Sequence, residues 1–236
     1  MESLNYYKNA VIIIEKIIEV HYVMDDVDIN FLLDSDTSKI YNCSPITKSS
    51  GFTLLHKCVI LTRKYPKLNN ILCDSLQTNP QFAQSINETN NEGWTALHLA
   101  ARNPRTTSTE ETVKILLAAG ANINLKENNG WTALLLASIN SRTDSTEETV
   151  KILLDSGADI NLQDNQGWSA LHMASRDSRI RSTEETVKIL LESGADVNLQ
   201  DNHGWSALHM ASRYSKTDST EETVKILLAA GANVNL

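Results

Sequence analysis

Several features are scarce in this 236-residue sequence, and each scarcity excludes a class of protein. Its three cysteines, Cys43, Cys58 and Cys73, form no CxxC pair and are odd in number, which is a poor basis for a disulfide framework. No apolar run reaches the roughly 18–20 residues of a membrane-spanning helix. The formal net charge of −8 argues against a general nucleic-acid binder. We expect an intracellular, cytoplasmic protein without a signal peptide that binds neither membrane nor nucleic acid.

A sequence repeat is the dominant feature of the chain. The four tryptophans, Trp94, Trp131, Trp168 and Trp205, are spaced by 37 residues each time. The text around them reads GWTALHLAAR, GWTALLLASI and twice GWSALHMASR, and each copy is followed by STEETVKILL and a Gly-Ala pair. Such a period is the signature of a repeat architecture.

Each copy predicts a turn, a helix, a loop and a second helix. In the third copy Ser169 is placed to cap the first helix and Thr183 to cap the second. Glu184 opposes the positive end of the second helix dipole and precedes Lys188 by four residues, which predicts an ion pair. Gly194 is expected to end that helix. Helices this short must stack on neighbouring copies, which predicts a solenoid.

The motifs GxTALHxA and ExVKxLLxxGAxxN, in register four times, resemble the ankyrin repeat. This resemblance implies a mainly α solenoid of stacked helix-loop-helix units with short β-hairpin turns. The period departs from the family's 33 residues because about four residues are added between the two helices. Alanine stands where the family has proline, which removes a preorganised helix start without changing the expected fold. These alanines are Ala96, Ala133, Ala170 and Ala207.

The repeat predicts the division of the chain. Units one to four occupy residues 90–126, 127–163, 164–200 and 201–236. A degenerate unit, residues 51–89, begins with GFTLLH and has an expected second helix from about Pro66 to Leu76. We interpret residues 1–50 as a divergent N-terminal cap or degenerate repeat. No polar cap follows unit four, so its apolar edge is expected to fray or to meet a partner.

The motif residues invite a catalytic interpretation, which we reject. Ser169, His172 and Asp164 resemble a hydrolase grouping, but the Ser–His pair recurs in unit four and Leu135 replaces the histidine in unit two. The resemblance implies that these side chains hold turns together by hydrogen bonds. The residues assigned this structural role are Thr95, His98, Ser169, His172, Ser206 and His209. No metal site or cofactor is predicted, and we expect no enzyme activity.

Aromatic residues are the strongest candidates for partner binding. The resemblance places the residue after the turn glycine on the concave surface, where it would form an aromatic ladder. Its members are Phe52, Trp94, Trp131, Trp168 and Trp205. Large aromatics are frequent interface hot spots. The alternative is that duplication copied one tryptophan, which only packs on neighbouring turns.

Differences between the near-identical units point to the same surface. Units three and four differ at the end of the first helix, where Tyr214 replaces Asp177, and at the turn tips, which include His203. Basic residues at the helix ends and loops would form a rim for an acidic partner, or are merely solvated. They are Arg102, Arg105, Arg142, Arg176, Arg179, Arg213 and Lys216.

Three functions remain open from the sequence. The leading hypothesis is a scaffold that binds a protein or peptide in the concave groove. The others are an adaptor that docks a second machinery through residues 1–50, and a structural module that self-associates through the edge of unit four. The expected oligomeric state is a monomer or a weak homo-oligomer. The near-identical units also resemble ankyrin proteins of large DNA viruses of amoebae or of intracellular bacteria. That likeness implies a host protein as partner and the host cytoplasm as location.

Overall fold

A computed structural model of the chain describes residues 51–63, 67–78, 80–103 and 108–236. In these residues the chain forms eleven α-helices and one short 3₁₀-helix, Ser85–Asn87. The α-helices are α1 (Leu54–Leu61), α2 (Lys67–Thr78), α3 (Pro80–Gln84), α4 (Ala96–Arg102), α5 (Glu110–Ala118), α6 (Ala133–Asn140), α7 (Glu147–Asp155), α8 (Ala170–Asp177), α9 (Glu184–Glu192), α10 (Ala207–Tyr214) and α11 (Glu221–Ala229). The predicted mainly α solenoid is confirmed. Residues 1–50, with the predicted cap, lie outside the described part.

The helices begin where side-chain caps are available. Ser169 and Thr183 have extended backbones, and their hydroxyls accept the amide N–H groups of His172 and Thr186. These bonds satisfy amides that have no partner within the helix. The predicted caps of α8 and α9 are therefore present.

The second helices end in a glycine turn. After α9, Gly194 adopts φ +93°, and its N–H donates to Leu191 O while Ala195 N–H donates to Leu190 O at 3.0 Å. This is a Schellman motif, in which glycine takes a left-handed conformation that other residues adopt at a cost.

The predicted ion pair between Glu184 and Lys188 is wrong. Lys188 lies 4.0 Å from Glu185, while Glu184 accepts a hydrogen bond of 2.8 Å from the hydroxyl of Thr220 in unit four. The same bond joins Thr146 to Glu110 and forms again in the following unit. Glu184 therefore links neighbouring units instead of bracing its own helix.

Stacking of the units creates one continuous core. The first helices (α4, α6, α8 and α10) contact one another along the array, and so do the second helices (α5, α7, α9 and α11). Apolar side chains at matching positions fill the space between these two rows, and each contributes about 1.5–3 kcal/mol by leaving water. They include Leu97, Leu134, Leu171, Val113, Val150, Val187, Leu116, Leu153 and Leu190, all at most 2 % exposed.

The turns that precede the first helices are hairpin-like. In unit three, Asp164 N–H donates to Trp168 O and Gly167 N–H to Asp164 O, at 2.9 and 3.0 Å. Asn165 N–H donates to Asn129 O of the preceding turn at 3.1 Å. The expected hairpin turns thus take the form of hydrogen-bonded turns, and the described residues include no β-strand.

The degenerate unit carries its insertion after its second helix. Helix α2 spans Lys67–Thr78, close to the range that the sequence predicts, while residue 66 is outside the described part. Helix α3 and the 3₁₀-helix follow at once and lead to the turn of unit one.

The lengthened loops between first and second helices also stack on one another. Arg142 N–H donates to Arg181 O, and Arg179 N–H to Asp218 O, both at 2.9 Å. The four extra residues per unit therefore add an ordered edge to the solenoid, opposite the turns along each first helix.

Candidate binding groove

The ladder residues, Phe52 and the four tryptophans, lie where each turn meets its first helix. All are half-buried, and Phe52, Trp94, Trp131 and Trp168 pack against the core with part of their surface. Phe52 contacts the ring of His56 edge-on, with centroids 5.4 Å apart. Each tryptophan is thus partly packed and partly accessible, and its accessible face could contact a partner.

Arginines at the ends of the first helices stack on these rings. The guanidinium of Arg102 lies 5.6 Å from the Trp94 ring centroid, and that of Arg213 lies 5.1 Å from Trp205. Arg176 lies between two rings, 5.1 Å from Trp168 and 5.2 Å from Tyr214 of unit four. Such contacts are each worth about 0.5–2 kcal/mol, depending on how dry they are.

These contacts change the interpretation of the basic rim. Arg102 is only 6 % exposed, and the Nε of Arg176 is buried without a hydrogen-bond partner among the described residues. Arg142, Arg179, Arg213 and Lys216 are exposed. Arg105 lies outside the described part. The helix-end arginines therefore serve to cover the ladder, and the exposed cations are mainly those of the loops.

A concavity of about 600 Å³ opens between units one and two. Its residues come from three places: the turns, the first helices α4 and α6, and the lengthened loops. From the turns come Glu92, Trp94, Glu127, Asn128, Asn129 and Trp131, from the helices Arg102, Leu136, Ile139 and Asn140, and from the loops Thr143, Asp144 and Arg181. The turns and the loops thus border a groove whose floor is the row of first helices.

The turn tips present different side chains to solvent. Asn129, Gln166 and His203 are exposed, while Glu92 is half-buried. Their backbone carbonyls, except that of His203, accept the N–H of the next turn in the described array. The tips are therefore held by backbone bonds. The Asn129 side chain also donates to Glu127 Oε2 at 3.1 Å, while the exposed side chains of Gln166 and His203 are available for contact.

The Ser–His and Thr–His pairs are part of helix caps. In unit one, Thr95 N–H donates to His98 Nδ1 at 3.1 Å, and the Thr95 hydroxyl lies 2.8 Å from the same atom. His98 Nε2 lies 3.1 Å from the carbonyl oxygens of Leu125 and Trp131 in the next turn. A neutral ring protonated at Nε2 satisfies all these bonds.

The same arrangement recurs in the other histidine units. His172 Nδ1 lies 2.8 Å from Ser169 Oγ and its Nε2 lies 2.9 Å from Trp205 O, while His209 Nδ1 lies 3.0 Å from Ser206 Oγ. Ser169 is 1 % exposed. Both ring nitrogens of His172 are occupied within the fold, so the geometry is that of a structural link between units.

Burial lowers the pKa of His56, His98 and His172. Desolvation is the largest cause and lowers the pKa of His98 to about 4, against the hydrogen bonds from the ring to Trp131 O and Leu125 O. Desolvation also lowers the pKa of His56 and of His172. The rings are therefore neutral in the folded protein near neutral pH.

Buried hydroxyls form a second set of inter-unit bonds, which sequence reasoning missed. Ser182 and Ser219 are fully buried and donate to Ser138 O and Ser175 O of the preceding unit, at 2.8 and 2.7 Å. In an ideal helix those carbonyls would accept N–H groups four residues later. Here the N–H groups of Arg142 and Arg179 turn to the next loop instead. The sequence signal for these bonds was the STEET block, which is identical in all four units.

A reactive Cys58 thiol, a metal site and a membrane-spanning helix are all absent from the described residues. Cys58 is fully buried, and burial raises the pKa of its thiol to about 12. The part of the chain covered by the structure brings no three His, Cys, Asp or Glu side chains together as a metal site would. Within the same ranges, no helix has both the length and the apolar character needed to cross a bilayer.

Comparison with known families agrees with this geometry. The family model described as Ankyrin repeats (3 copies) matches residues 55–164 and residues 144–236. The two matches together run from residue 55 to residue 236, which is well over half of the chain. A search of curated proteins found no sequence that matches.

Proposed function

Because the chain belongs to the ankyrin-repeat family, whose repeats are generally protein–protein interaction modules, we propose that it is a non-catalytic scaffold. Its partner would be a protein or peptide that lies along the concave groove. We place this activity inside a cell, on the grounds of cysteine content given above.

One observation carries the proposal. Between units one and two, the turn tips, the first-helix row and the lengthened loops surround a single concavity of about 600 Å³. Two tryptophans and two arginines line it. Tryptophan and arginine are enriched among the residues that dominate binding energy in protein interfaces.

The test compares two triple variants, each of which alters one face of the solenoid. The groove variant carries Asn129→Ala, Gln166→Ala and His203→Ala, which remove exposed tip side chains and keep the backbone bonds between turns. The control carries Lys151→Ala, Lys188→Ala and Lys225→Ala on exposed faces of the second helices. Both are expected to fold as the unaltered chain does, which far-ultraviolet circular dichroism checks.

Proteins captured from a cell lysate are then quantified by mass spectrometry for all three forms. The proposal predicts proteins whose recovery falls with the groove variant and is kept by the control. Recovery that depends on the second-helix lysines and ignores the tips would contradict it.

A second candidate function is self-association through the edge of unit four. Leu228, Val234 and Leu236 are 44 %, 67 % and 42 % exposed, whereas Leu191 and Val197 at matching positions of unit three are half-buried. Exposed apolar surface favours association. The molar mass of the chain by light scattering should then rise with concentration and return to the monomer value with Leu228→Lys and Val234→Lys. A monomer at every concentration argues against this candidate.

The adaptor function depends on residues 1–50, which lie outside the described part. It remains a proposal from the sequence.

A further inference from the structure

The arginine that covers each tryptophan is replaced in unit two. Arg102, Arg176 and Arg213 each follow their tryptophan by eight residues. The corresponding residue after Trp131 is Ile139, which is 3 % exposed and lies in the core. Among the described residues, no guanidinium lies over the Trp131 ring, although the ring occupies the same place in its turn as the other three.

The space beside Trp131 is the groove concavity, and carboxylates surround it. Glu92 and Asp144 line it from opposite sides and are half-buried. Neither carboxylate forms a hydrogen bond or an ion pair with a described residue, although the backbone of Glu92 bonds to Asn90 and Asn128. Glu127 also lines the space, but its carboxylate already accepts the N–H groups of Asn129 and Trp131 at 2.8 and 3.0 Å. Two carboxylates are therefore available to a cation at this point.

The two arginines that line the concavity do not neutralise these carboxylates, so the net charge of the site stays negative. Arg181 forms an ion pair of 3.0 Å with Asp177 at the end of α8, so its charge is compensated within its own unit. The guanidinium of Arg102 stacks on the ring of Trp94 in unit one. The fold also accepts cations in consecutive units, because Arg176 and Arg213 both contact the ring of Tyr214, at 5.2 and 5.9 Å. A further cation over Trp131 would continue this pattern.

We propose that the concavity between units one and two binds an arginine side chain of the partner, whose guanidinium stacks on Trp131 between Glu92 and Asp144. The partner would thus supply the contact that the chain itself supplies in the other three units. A planar guanidinium suits both the indole face and a carboxylate better than the compact ammonium of lysine does. This inference rests on the proposed function, since it names the residue type that the groove recognises.

The test uses a pentapeptide, acetyl-Gly-Ser-Arg-Ser-Gly-amide, and the same peptide with Gln in place of Arg. Binding is followed by the indole N–H resonances of the four tryptophans in ¹⁵N-labelled protein, and Trp131→Phe identifies the resonance of Trp131. The arginine peptide should shift that resonance in a saturable way, and the glutamine peptide should not. The absence of a shift at Trp131, or equal shifts from both peptides, would overturn the proposal.

Two variants locate the site. Ile139→Arg reproduces the sequence of the other units and places the chain's own guanidinium over Trp131, so the peptide affinity should fall by about tenfold or more. Glu92→Gln with Asp144→Asn removes the two available charges without touching the core and should weaken binding severalfold. Unchanged affinity in the second variant overturns the proposal even if the first does not fold.

The same variants separate this inference from the proposed function. If the proteins captured in the lysate experiment are lost with the tip variant but kept by Ile139→Arg and by the Glu92/Asp144 variant, the groove binds its partner and the arginine site is wrong. If they are lost with both site variants, the arginine site is where the partner is held.

Discussion

Replacing His98 by leucine tests whether the buried histidines make the stability of the array depend on pH. His98 is 1 % exposed and links the cap of α4 to the next turn. The chain offers its own control for the substitution, because unit two carries Leu135 at this position with 1 % exposure. Trp131 O keeps a donor in the variant, the N–H of Glu127 at 3.0 Å. His98→Leu is therefore expected to fold.

The magnitude follows from the pKa of His98. Burial lowers the pKa of its ring from the ordinary value of 6.5 to about 4. Between those two pH values the unfolded chain binds more protons than the folded one, so the free energy of unfolding falls as the pH is lowered. The contribution is complete above pH 6.5 and lost as the pH approaches 4. Proton linkage at this one site amounts to about 2 kcal/mol between pH 7.5 and pH 5.

Urea unfolding at pH 7.5 and pH 5 measures this difference in the two proteins. Circular dichroism and tryptophan fluorescence should give coincident transitions, which justifies a two-state free energy. The unaltered chain should lose about 2 kcal/mol more than His98→Leu does on acidification. His56 and His172 titrate in both proteins and cancel in the comparison. Equal losses in the two proteins would refute the assignment of a neutral, buried His98.

Three further perturbations have matched controls within the chain. Ser182→Ala leaves the carbonyl of Ser138 without its donor and should cost about 1–3 kcal/mol in urea unfolding, whereas Ser193→Ala at an exposed helix end should cost under about 1 kcal/mol. Gly167 and Gly204 have φ of +82° and +80°, but an added Cβ would lie 2.6 Å from Asn202 N only at Gly167. Gly167→Ala should therefore destabilise by about 1–3 kcal/mol more than Gly204→Ala, and equal costs would contradict a close approach of the turns. In a Cys43→Ser background at pH 8, a thiol reagent should modify half-buried Cys73 much faster than Cys58, whose burial holds the pKa of its thiol near 12, and equal rates would contradict that burial.

The sequence predicts the helices and their caps well because these depend on neighbouring residues. Ser169 and Thr183 cap amides only three residues away, and Gly194 ends its helix through its own backbone conformation. Each of these features is local and recurs in the repeat. The period then predicts stacking, since helices of seven to nine residues have no other way to bury their apolar faces.

Contacts between units were much harder to predict from the sequence. Glu184 was assigned to Lys188 because that spacing places them on one helix face, yet it binds Thr220, 36 residues later. Whether a side chain turns along its helix or across to the next unit depends on the distance between units, which the repeat pattern does not contain. The stacking of Arg176 on Trp168 and Tyr214 depends on that distance as well.

The candidate site also combines local features that the sequence predicts with contacts that it does not predict. The sequence places a tryptophan just before each first helix of units one to four, but it does not reveal that arginines cover three of them. Once those contacts are known, Ile139 becomes the informative residue, because it marks the tryptophan that lacks such a cover among the described residues. The substitution was visible in the aligned units, but its meaning depends on the three-dimensional contact.

The bonds of the STEET block make the units interchangeable. Each block donates backward, from Ser182 to Ser138 O and from Thr183 to Glu147. Its unit offers the same acceptors forward, Ser175 O in the first helix and Glu184 in the block. A whole 37-residue unit carries one complete set of both, so removing or inserting one between two others leaves every such donor and acceptor matched. The length of the groove is therefore adjustable in steps of one unit without redesign of these bonds. This modularity makes the chain a template from which binding surfaces of chosen length can be assembled.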